Sequence, residues 1–493
     1  MDRIHKKSAL PEATPILLAA HDAGATLAWG RYEQQLPLCG FTTNGLNCRK
    51  CFEGPCRINP FGDEPTRGVC GADRDQIAME NLFQATLDGV LETSRALHQL
   101  GMDEKLPDIS GSVGQKVAER LTRSGLLPVR RSDLYAVQNS YFSDKAYLGQ
   151  TLVDLTRLGL IQYALLQQAD SSVPTITPGA VNVLALGQPS REFLAALHTT
   201  AQGAGKGLNV YGRADGLLPV ADQGSPELAL LMNVSALLIA PNAAMPGAAE
   251  LARQRGIPVI CLDGTVSPSE AFSQAARHAA QAAYATSAEI VSHPVPDVVS
   301  CATAMADAAR SGRIAGIVVL YGEASVKQSF FERTLALMES ALVGRVLVVL
   351  GGEIEAHAAC LNAELGRRKP GLLDAFTTDL GNAMEPVAGI GPSGIPGIVS
   401  LLNTPDLQTV PSVFSFPEFF RASTWATAVA VFALGFPVQI GIRLPFWGAT
   451  PLPTIFEQWG QLTGGNLLTA ASVPGPAAQA DELLACIKAG GTR

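Results

Sequence analysis

Charge is scarce in this sequence. Only 16% of its 493 residues are Asp, Glu, Lys or Arg, the net charge is −8, and no Lys/Arg run exceeds three residues. Nucleic acid and anionic membranes are therefore not expected partners, because both are bound through concentrated positive charge. Long apolar runs are missing as well. The longest, Trp425 to Ile442, is interrupted by Gly435 and Pro437; it divides into a helix and a strand, short of the ~20 residues that a membrane span needs. The basic residues before Leu10 are followed by no apolar segment, and positions 19–24 are too polar to serve as one. No signal peptide is read, and a cytoplasmic location is expected. Cysteine is rare too, with nine in all. Five fall between 39 and 70 and the other four stand singly at 261, 301, 360 and 486, unlike the spread of a disulfide framework.

What is abundant is apolar residue and glycine: 47% hydrophobic, with 48 glycines, the make-up of a well-buried α/β protein too long for one core. From Arg74 to about Gln168 apolar residues recur at three- and four-residue spacing, which predicts an α-helical region. After the Ser/Pro/Thr-rich stretch 171–179 the pattern changes to short apolar runs ending in Gly or Pro and alternating with helical segments. The runs are Val181–Gly187, Leu208–Gly212, Ala236–Pro241 and Pro258–Gly264, then Ile314–Gly322, Arg345–Gly352, Pro411–Pro417 and Pro437–Pro445. Strands alternating with helices imply parallel, doubly wound sheets. The expected organisation is a helical domain with the cysteine cluster over 1–175 and two Rossmann-like α/β domains over 176–295 and 296–493. In such sheets ligands bind outside the carboxyl ends of the strands. The glycine-rich stretch Gly389–Gly397 carries prolines that remove the amides a phosphate loop would use, so it reads as a turn-rich connection.

Cys48-x2-Cys51-x4-Cys56-x13-Cys70 supplies four thiolates within 23 positions, with Gly54, Pro55, Gly62, Pro65 and Gly68 between them to let the backbone fold around one centre. The set suits an iron-sulfur cluster or zinc. Zinc ribbons usually pair two C-x2-C knuckles and only one is present, so a cubane cluster is the preferred reading.

The segment Cys39-Gly-Phe-Thr-Thr-Asn-Gly-Leu-Asn-Cys-Arg-Lys-Cys-Phe-Glu-Gly-Pro-Cys-Arg-Ile, followed by Arg67-Gly-Val-Cys-Gly-Ala-Asp, resembles the N-terminal signature of the anaerobic nickel carbon monoxide dehydrogenases. Trp29-Gly-Arg-Tyr-Glu-Gln-Gln-Leu-Pro, Phe416-Pro-Glu-Phe-Phe and Leu434-Gly-Phe-Pro-Val-Gln-Ile-Gly extend the likeness over most of the chain. The resemblance implies a homodimer with one 4Fe-4S cubane per subunit on Cys48, Cys51, Cys56 and Cys70, and a ferredoxin-like electron-transfer partner. It also implies a bridging cluster held by two cysteines of each subunit. Only Cys39 is kept, Asn47 standing at the second position, so no ordinary bridging cluster is expected.

The family's nickel-iron-sulfur cluster is held by one histidine and five cysteines, and the matching positions here carry none of them. They read Gly187-Gln188-Pro189, Gly212-Arg213-Ala214, Asn242-Ala243-Ala244, Gly322-Glu323, Gly352-Glu353 and Leu380-Gly381-Asn382-Ala383. Ser423 falls near the family's proton-transfer lysine, and of its histidine relay only His98 remains. Soft metals need soft ligands, so a nickel cluster is not expected. Glu323, Glu353, His357 and Cys360, the last three at i, i+4 and i+7 of one predicted helix, form a candidate site for a harder metal; the alternative is a helix-capping Glu353, a surface His357 and a buried Cys360. Gln188, Arg213, Asn242 and Glu323 form a candidate anion site. Three functions are expected in turn: a redox or electron-transfer protein with a repurposed pocket, an active carbon monoxide dehydrogenase with altered ligands, or a non-catalytic structural or assembly partner.

Overall fold

The computed structural model describes residues 7–11, 13–22, 24–59, 61–99, 106–141, 148–168, 180–187, 189–211, 234–241, 243, 246–281, 295–329, 331–444, 452–468 and 475–490. The N-terminal cysteines lie on and beside a minimal antiparallel hairpin, β1 (Asn47–Cys48) and β2 (Cys56–Arg57). Directly after it comes the long helix Arg74–Gln99. Its start is fixed by a reciprocal cap: the Asp73 carboxylate accepts from the amides of Asp75 (3.1 Å) and Gln76 (3.0 Å), while the Gln76 side chain accepts from the Asp73 amide (2.9 Å). Two orphan helix donors and the cap's own amide are thereby satisfied.

That helix, Leu148–Leu166 and the fully buried Ala422–Ala433 pack closely. Glycine permits the approach. A Cβ on Gly89 would lie 2.1 Å from the carbonyl oxygen of Ala422, and one on Gly159 would lie 2.7 Å from that of Val429. Two polar side chains donate within the seam: Trp425 Nε1 to Thr86 Oγ1 (2.8 Å), and Gln162 Nε2 to Thr93 Oγ1 (3.0 Å). Unpaired they would each cost roughly 1–3 kcal/mol.

A four-stranded parallel sheet follows, order β4-β3-β5-β6, from β3 (Val181–Leu186), β4 (Leu208–Tyr211), β5 (Ala236–Ile239) and β6 (Val259–Cys261). Alternate residues of its strands feed separate apolar clusters on its two faces, Leu184, Leu186 and Leu237 on one and Val183, Ala185 and Leu238 on the other, as the period of two requires.

The larger sheet is six-stranded and parallel, order β12-β11-β10-β7-β8-β9: β7 (Gly316–Gly322), β8 (Val346–Gly352), β9 (Val387–Gly389), β10 (Ser412–Phe416), β11 (Pro437–Ile440) and β12 (Asn466–Leu468). Its central strands are buried throughout, which explains why they read as continuous apolar runs. The chain winds from β7 outward through β8 to β9, then returns to add β10 on the other side of β7. The switch point between β7 and β10 is where such sheets bind ligands. This sheet and the helices Arg74–Gln99 and Leu148–Leu166 share one contiguous hydrophobic core.

All eight runs expected to be strands form strands, and the alternation with helices holds. Of the three three-residue strands, β6 was foreseen and β9 and β12 were not. Gly389–Gly397 is also more ordered than a turn-rich connection: β9 ends at Gly389, a short 3-10 turn spans Gly391–Ser393, and the helix Gly394–Leu402 begins at once. Pro396 sits in that helix's first turn, where a missing amide costs no hydrogen bond. No helix among the described residues is long and apolar enough to cross a membrane.

Candidate metal centre and strand-end crevice

In the hairpin Cys48 stands directly opposite Cys56, and Asn47 opposite Arg57. The loop between the strands carries Cys51. It turns back through Gly54, where a Cβ would lie 2.8 Å from the amide nitrogen of Cys56 and 3.4 Å from the carbonyl oxygen of Cys48, so only glycine fits. A second loop brings Cys70 in; it is closed by Gly68 N–H to the Ala72 carbonyl (2.8 Å), Gly71 N–H to the Gly68 carbonyl (2.9 Å) and the Arg67 guanidinium on the Gly71 carbonyl (2.9 Å). Both loops present amides to sulfur. Lys50 N–H points at Cys48 Sγ (3.5 Å) and Val69 N–H at Cys56 Sγ (3.4 Å).

The segment is held to the long helix by Asn81, whose amide donates to the carbonyls of Gly45 (2.9 Å) and Asn47 (3.1 Å), and by the ion pair of Lys50 with Glu80 (3.2 Å). Cys51 and Cys70 are exposed, Cys48 and Cys56 half-buried. Burial pushes the Cys48 thiol up; Lys50 N–H opposes this, and the charges of Cys56, Cys70 and Cys51 push the same way as burial. The other three cysteines therefore lie near enough for their charge to act on Cys48. Among the described residues no three His, Cys, Asp or Glu side chains are gathered closely enough to hold a single ion. A cubane asks for a wider set, because each thiolate takes a different iron. Soft donors, amides aimed at sulfur and a glycine-lined turn fit such a cluster.

Cys39 is exposed and lies at the N-terminal end of the short helix Gly40–Thr43. The Thr42 amide and hydroxyl and the Phe41 amide hold its thiol below the ordinary cysteine range. Asn47 is the first residue of β1.

The crevice residues are placed differently from the sequence expectation. Gln188, Arg213 and Asn242 lie outside the described residues. Glu323, at the end of β7, is buried; its carboxylate accepts from the Thr424 hydroxyl and the Phe420 amide (3.5 Å). Glu353 follows β8 and accepts from the Ala324 amide (3.0 Å). It is bound to the β7 loop. The helix expected to carry Glu353, His357 and Cys360 on one face is broken: Glu353–Ala356 ends at His357, and Ala358–Arg368 begins after it. The His357 imidazole is enclosed against Phe331, ring centres 5.0 Å apart, and burial pushes its pKa down to about 4. Cys360 is buried in the core. Glu323, Glu353, His357 and Cys360 are thus not brought together as ligands, because the break at His357 destroys the shared helical face. Ser423 sits in the first turn of Ala422–Ala433, its amide on Glu92 (3.2 Å), and His98 lies on Arg74–Gln99.

Two carboxyls that the sequence did not single out are strongly perturbed. Glu418, fully buried after β10, accepts from the Phe331 amide (3.3 Å), while its Oε1 has no hydrogen-bond partner. Burial pushes it up to about 8 against the opposing Phe331 amide and Arg333 charge. Glu355 accepts from the Gly391 amide (3.1 Å), and burial pushes it up to about 7. The only sequence sign of Glu418 was its place just past a strand end.

The Prismane/CO dehydrogenase family model matches residues 46–122. Over 77 residues the chain is 51% identical to the carbon monoxide dehydrogenase of Rhodospirillum rubrum, 16% of this chain and 12% of that one. Over 84 residues it is 48% identical to carbon monoxide dehydrogenase 1 of Carboxydothermus hydrogenoformans, 17% of this chain and 13% of that one. The matched stretch therefore spans about an eighth of these relatives' length. Two solved structures resemble the whole chain. Carbon monoxide dehydrogenase IV from Carboxydothermus hydrogenoformans superposes with a TM-score of 0.72 at 19% identity, covering 98% of this chain and 99% of that one. The as-isolated, nickel-free carbon monoxide dehydrogenase from Thermococcus sp. AM4, produced without the CooC maturase, gives 0.73 at 18% identity, covering 98% and 97%. Residues 46–122 thus match the Prismane/CO dehydrogenase family model, and the chain as a whole has the fold of a carbon monoxide dehydrogenase.

Proposed function

We propose that the chain is a redox protein that holds one 4Fe-4S cluster per subunit on Cys48, Cys51, Cys56 and Cys70 and exchanges electrons with a ferredoxin-like partner, without a nickel cluster. The observation that carries this reading is the hairpin itself: Cys48 stands opposite Cys56, with the Lys50 and Val69 amides on their two sulfurs, and two tight loops carry Cys51 and Cys70. Bound there, the cluster supplies one-electron transfer. Cys51 and Cys70 lie at the surface, as exchange with a partner requires.

Against nickel stand Glu323 and Glu353, carboxylates where the family has cysteines, their oxygens already hydrogen-bonded within the protein. A homodimer is supported by the apolar side chains of the cysteine segment: Phe52, Phe61 and Val69 are 108%, 88% and 70% exposed, apolar surface that a second copy would cover.

Anaerobically purified protein is expected to contain about four irons and four sulfides per chain, to give a cluster signal in electron paramagnetic resonance on reduction, and to sediment as a dimer. Stoichiometric nickel, or carbon monoxide-dependent reduction of a viologen dye, would overturn the reading of the crevice. Iron that stays bound when Cys51 and Cys56 are both replaced by serine would overturn the cluster assignment.

A further inference from the structure

The β7-β10 switch point carries a pocket that none of the cluster chemistry uses. Its volume is about 460 Å3, within the range of small-molecule sites. One wall is the loop after β7, Val326 to Ser329; the other comes from the N-terminal segment, with Lys7, Trp29, Tyr32, Glu33 and Leu36. The loop is pinned in place. Gln328 Nε2 donates to the Pro417 carbonyl (3.5 Å) and its Oε1 accepts from Arg333 Nε (3.1 Å). Phe331 closes the loop in the left-handed region at φ 57°, a conformation that costs a bulky residue about 1–3 kcal/mol and tends to persist at functional sites.

We propose that this pocket binds a small planar organic anion, its carboxylate or phosphate on Lys327 and its flat part against Tyr32 and Leu36. The charges decide the sign of the ligand. Lys7 is already paired with Glu33 at 3.3 Å. Lys327 is solvent-accessible yet ringed by protein, and among the described residues no carboxylate pairs with it; burial alone lowers its pKa. The carboxyls behind the loop do not answer it. Glu323 and Glu353 are held by Thr424, Phe420 and Ala324, and Glu418 is held by the Phe331 amide, with burial raising its pKa. The pocket therefore offers one uncompensated cation beside an aromatic and aliphatic wall, a match for an anion with a flat apolar body.

This inference does not depend on the cluster assignment, which is read separately by iron content. The test is calorimetric titration of the anaerobically purified full chain with benzoate, phenyl phosphate and inorganic phosphate at low salt. One equivalent of benzoate or phenyl phosphate per chain is expected to bind, the tighter of the two identifying the anion, with inorganic phosphate about tenfold weaker for want of the flat part. Lys327→Gln should weaken the organic probes about tenfold and Lys327→Arg much less. On the unaltered protein, the bound probe should slow acetylation of Lys327 by a limiting acylating reagent, a readout that survives if Lys327→Gln fails to fold. No binding at millimolar concentration, binding indifferent to Lys327→Gln, or an unprotected Lys327 would each overturn the proposal.

Discussion

Replacing Glu418 by glutamine should remove a pH dependence of stability built into the switch point. The carboxyl is raised from 4.5 to about 8, chiefly by burial. Folded protein therefore keeps a proton that the unfolded chain releases above pH ~4.5, so stability is greatest below that value and falls as pH rises through the folded pKa. At about 1.4 kcal/mol per unit, the shift is worth roughly 5 kcal/mol in the alkaline limit and roughly 3 kcal/mol at pH 7. Glu355, raised to about 7 by burial, adds a slope of the same sign over a narrower window. Glutamine is neutral at every pH and nearly isosteric. Denaturation midpoints followed by far-UV circular dichroism from pH 5 to 9 should fall steeply for the parent chain and less steeply for Glu418→Gln, leaving mainly the Glu355 contribution. The slope is the readout, because the new amide has its own hydrogen-bonding needs beside the unpartnered Oε1 position. An infrared difference spectrum across the same range should show a protonated carboxyl band that the variant lacks. Parallel slopes in the two proteins would refute the claim that Glu418 is buried as the acid.

Gly54→Ala places a Cβ 2.8 Å from the Cys56 amide nitrogen, so iron content should drop while far-UV circular dichroism stays unchanged; full iron loading would refute the turn argument. Gly89→Ala drives a Cβ to 2.1 Å from the Ala422 carbonyl oxygen and should cost about 1–3 kcal/mol by forcing two core helices apart, read as a lower melting temperature. Cys39, whose thiol is lowered by the Thr42 and Phe41 groups, should be alkylated by iodoacetamide at lower pH than an ordinary cysteine thiol. Cys39→Ser should leave four irons per chain in place.

How much of this was legible in the sequence depends on whether a feature is contiguous in the chain. The cysteine hairpin was readable because its four cysteines, its glycine turn and its amide donors fall between Cys48 and Cys70, and local spacing nearly fixes local geometry. The large strands were readable because burial on both faces makes each a continuous apolar run closed by Gly or Pro. β9 and β12, three residues each, carry too little pattern to stand out from loops. Glu353, His357 and Cys360 show the opposite failure: their spacing suits one helical face, but tertiary packing of His357 on Phe331 breaks the helix between them. Local periodicity reports what a helix would do if it were continuous, and nothing in the eight residues signals the interruption.

The crevice was the least legible part, since its residues meet only through topology. Lys7 and Trp29 precede the cysteine segment, while Lys327 and Glu418 follow β7 and β10. The switch point joins them, and the same geometry accounts for the different fates of the two sites. The hairpin needs four soft ligands from one short segment, and all four are present. A nickel cluster would need soft ligands delivered by several strand ends at once, and at β7 and β8 the ends deliver Glu323 and Glu353, tied to Thr424, Phe420 and Ala324. Those bonds knit the β7 loop to the elements after β8 and β10, so the carboxylates now set the shape of the crevice and Lys327 its charge. A double change of Glu323 and Glu353 to cysteine should therefore loosen the loop, seen as faster amide exchange over residues 323–331, and should not by itself bring nickel; nickel uptake by that variant would show that the crevice had kept the rest of a metal site.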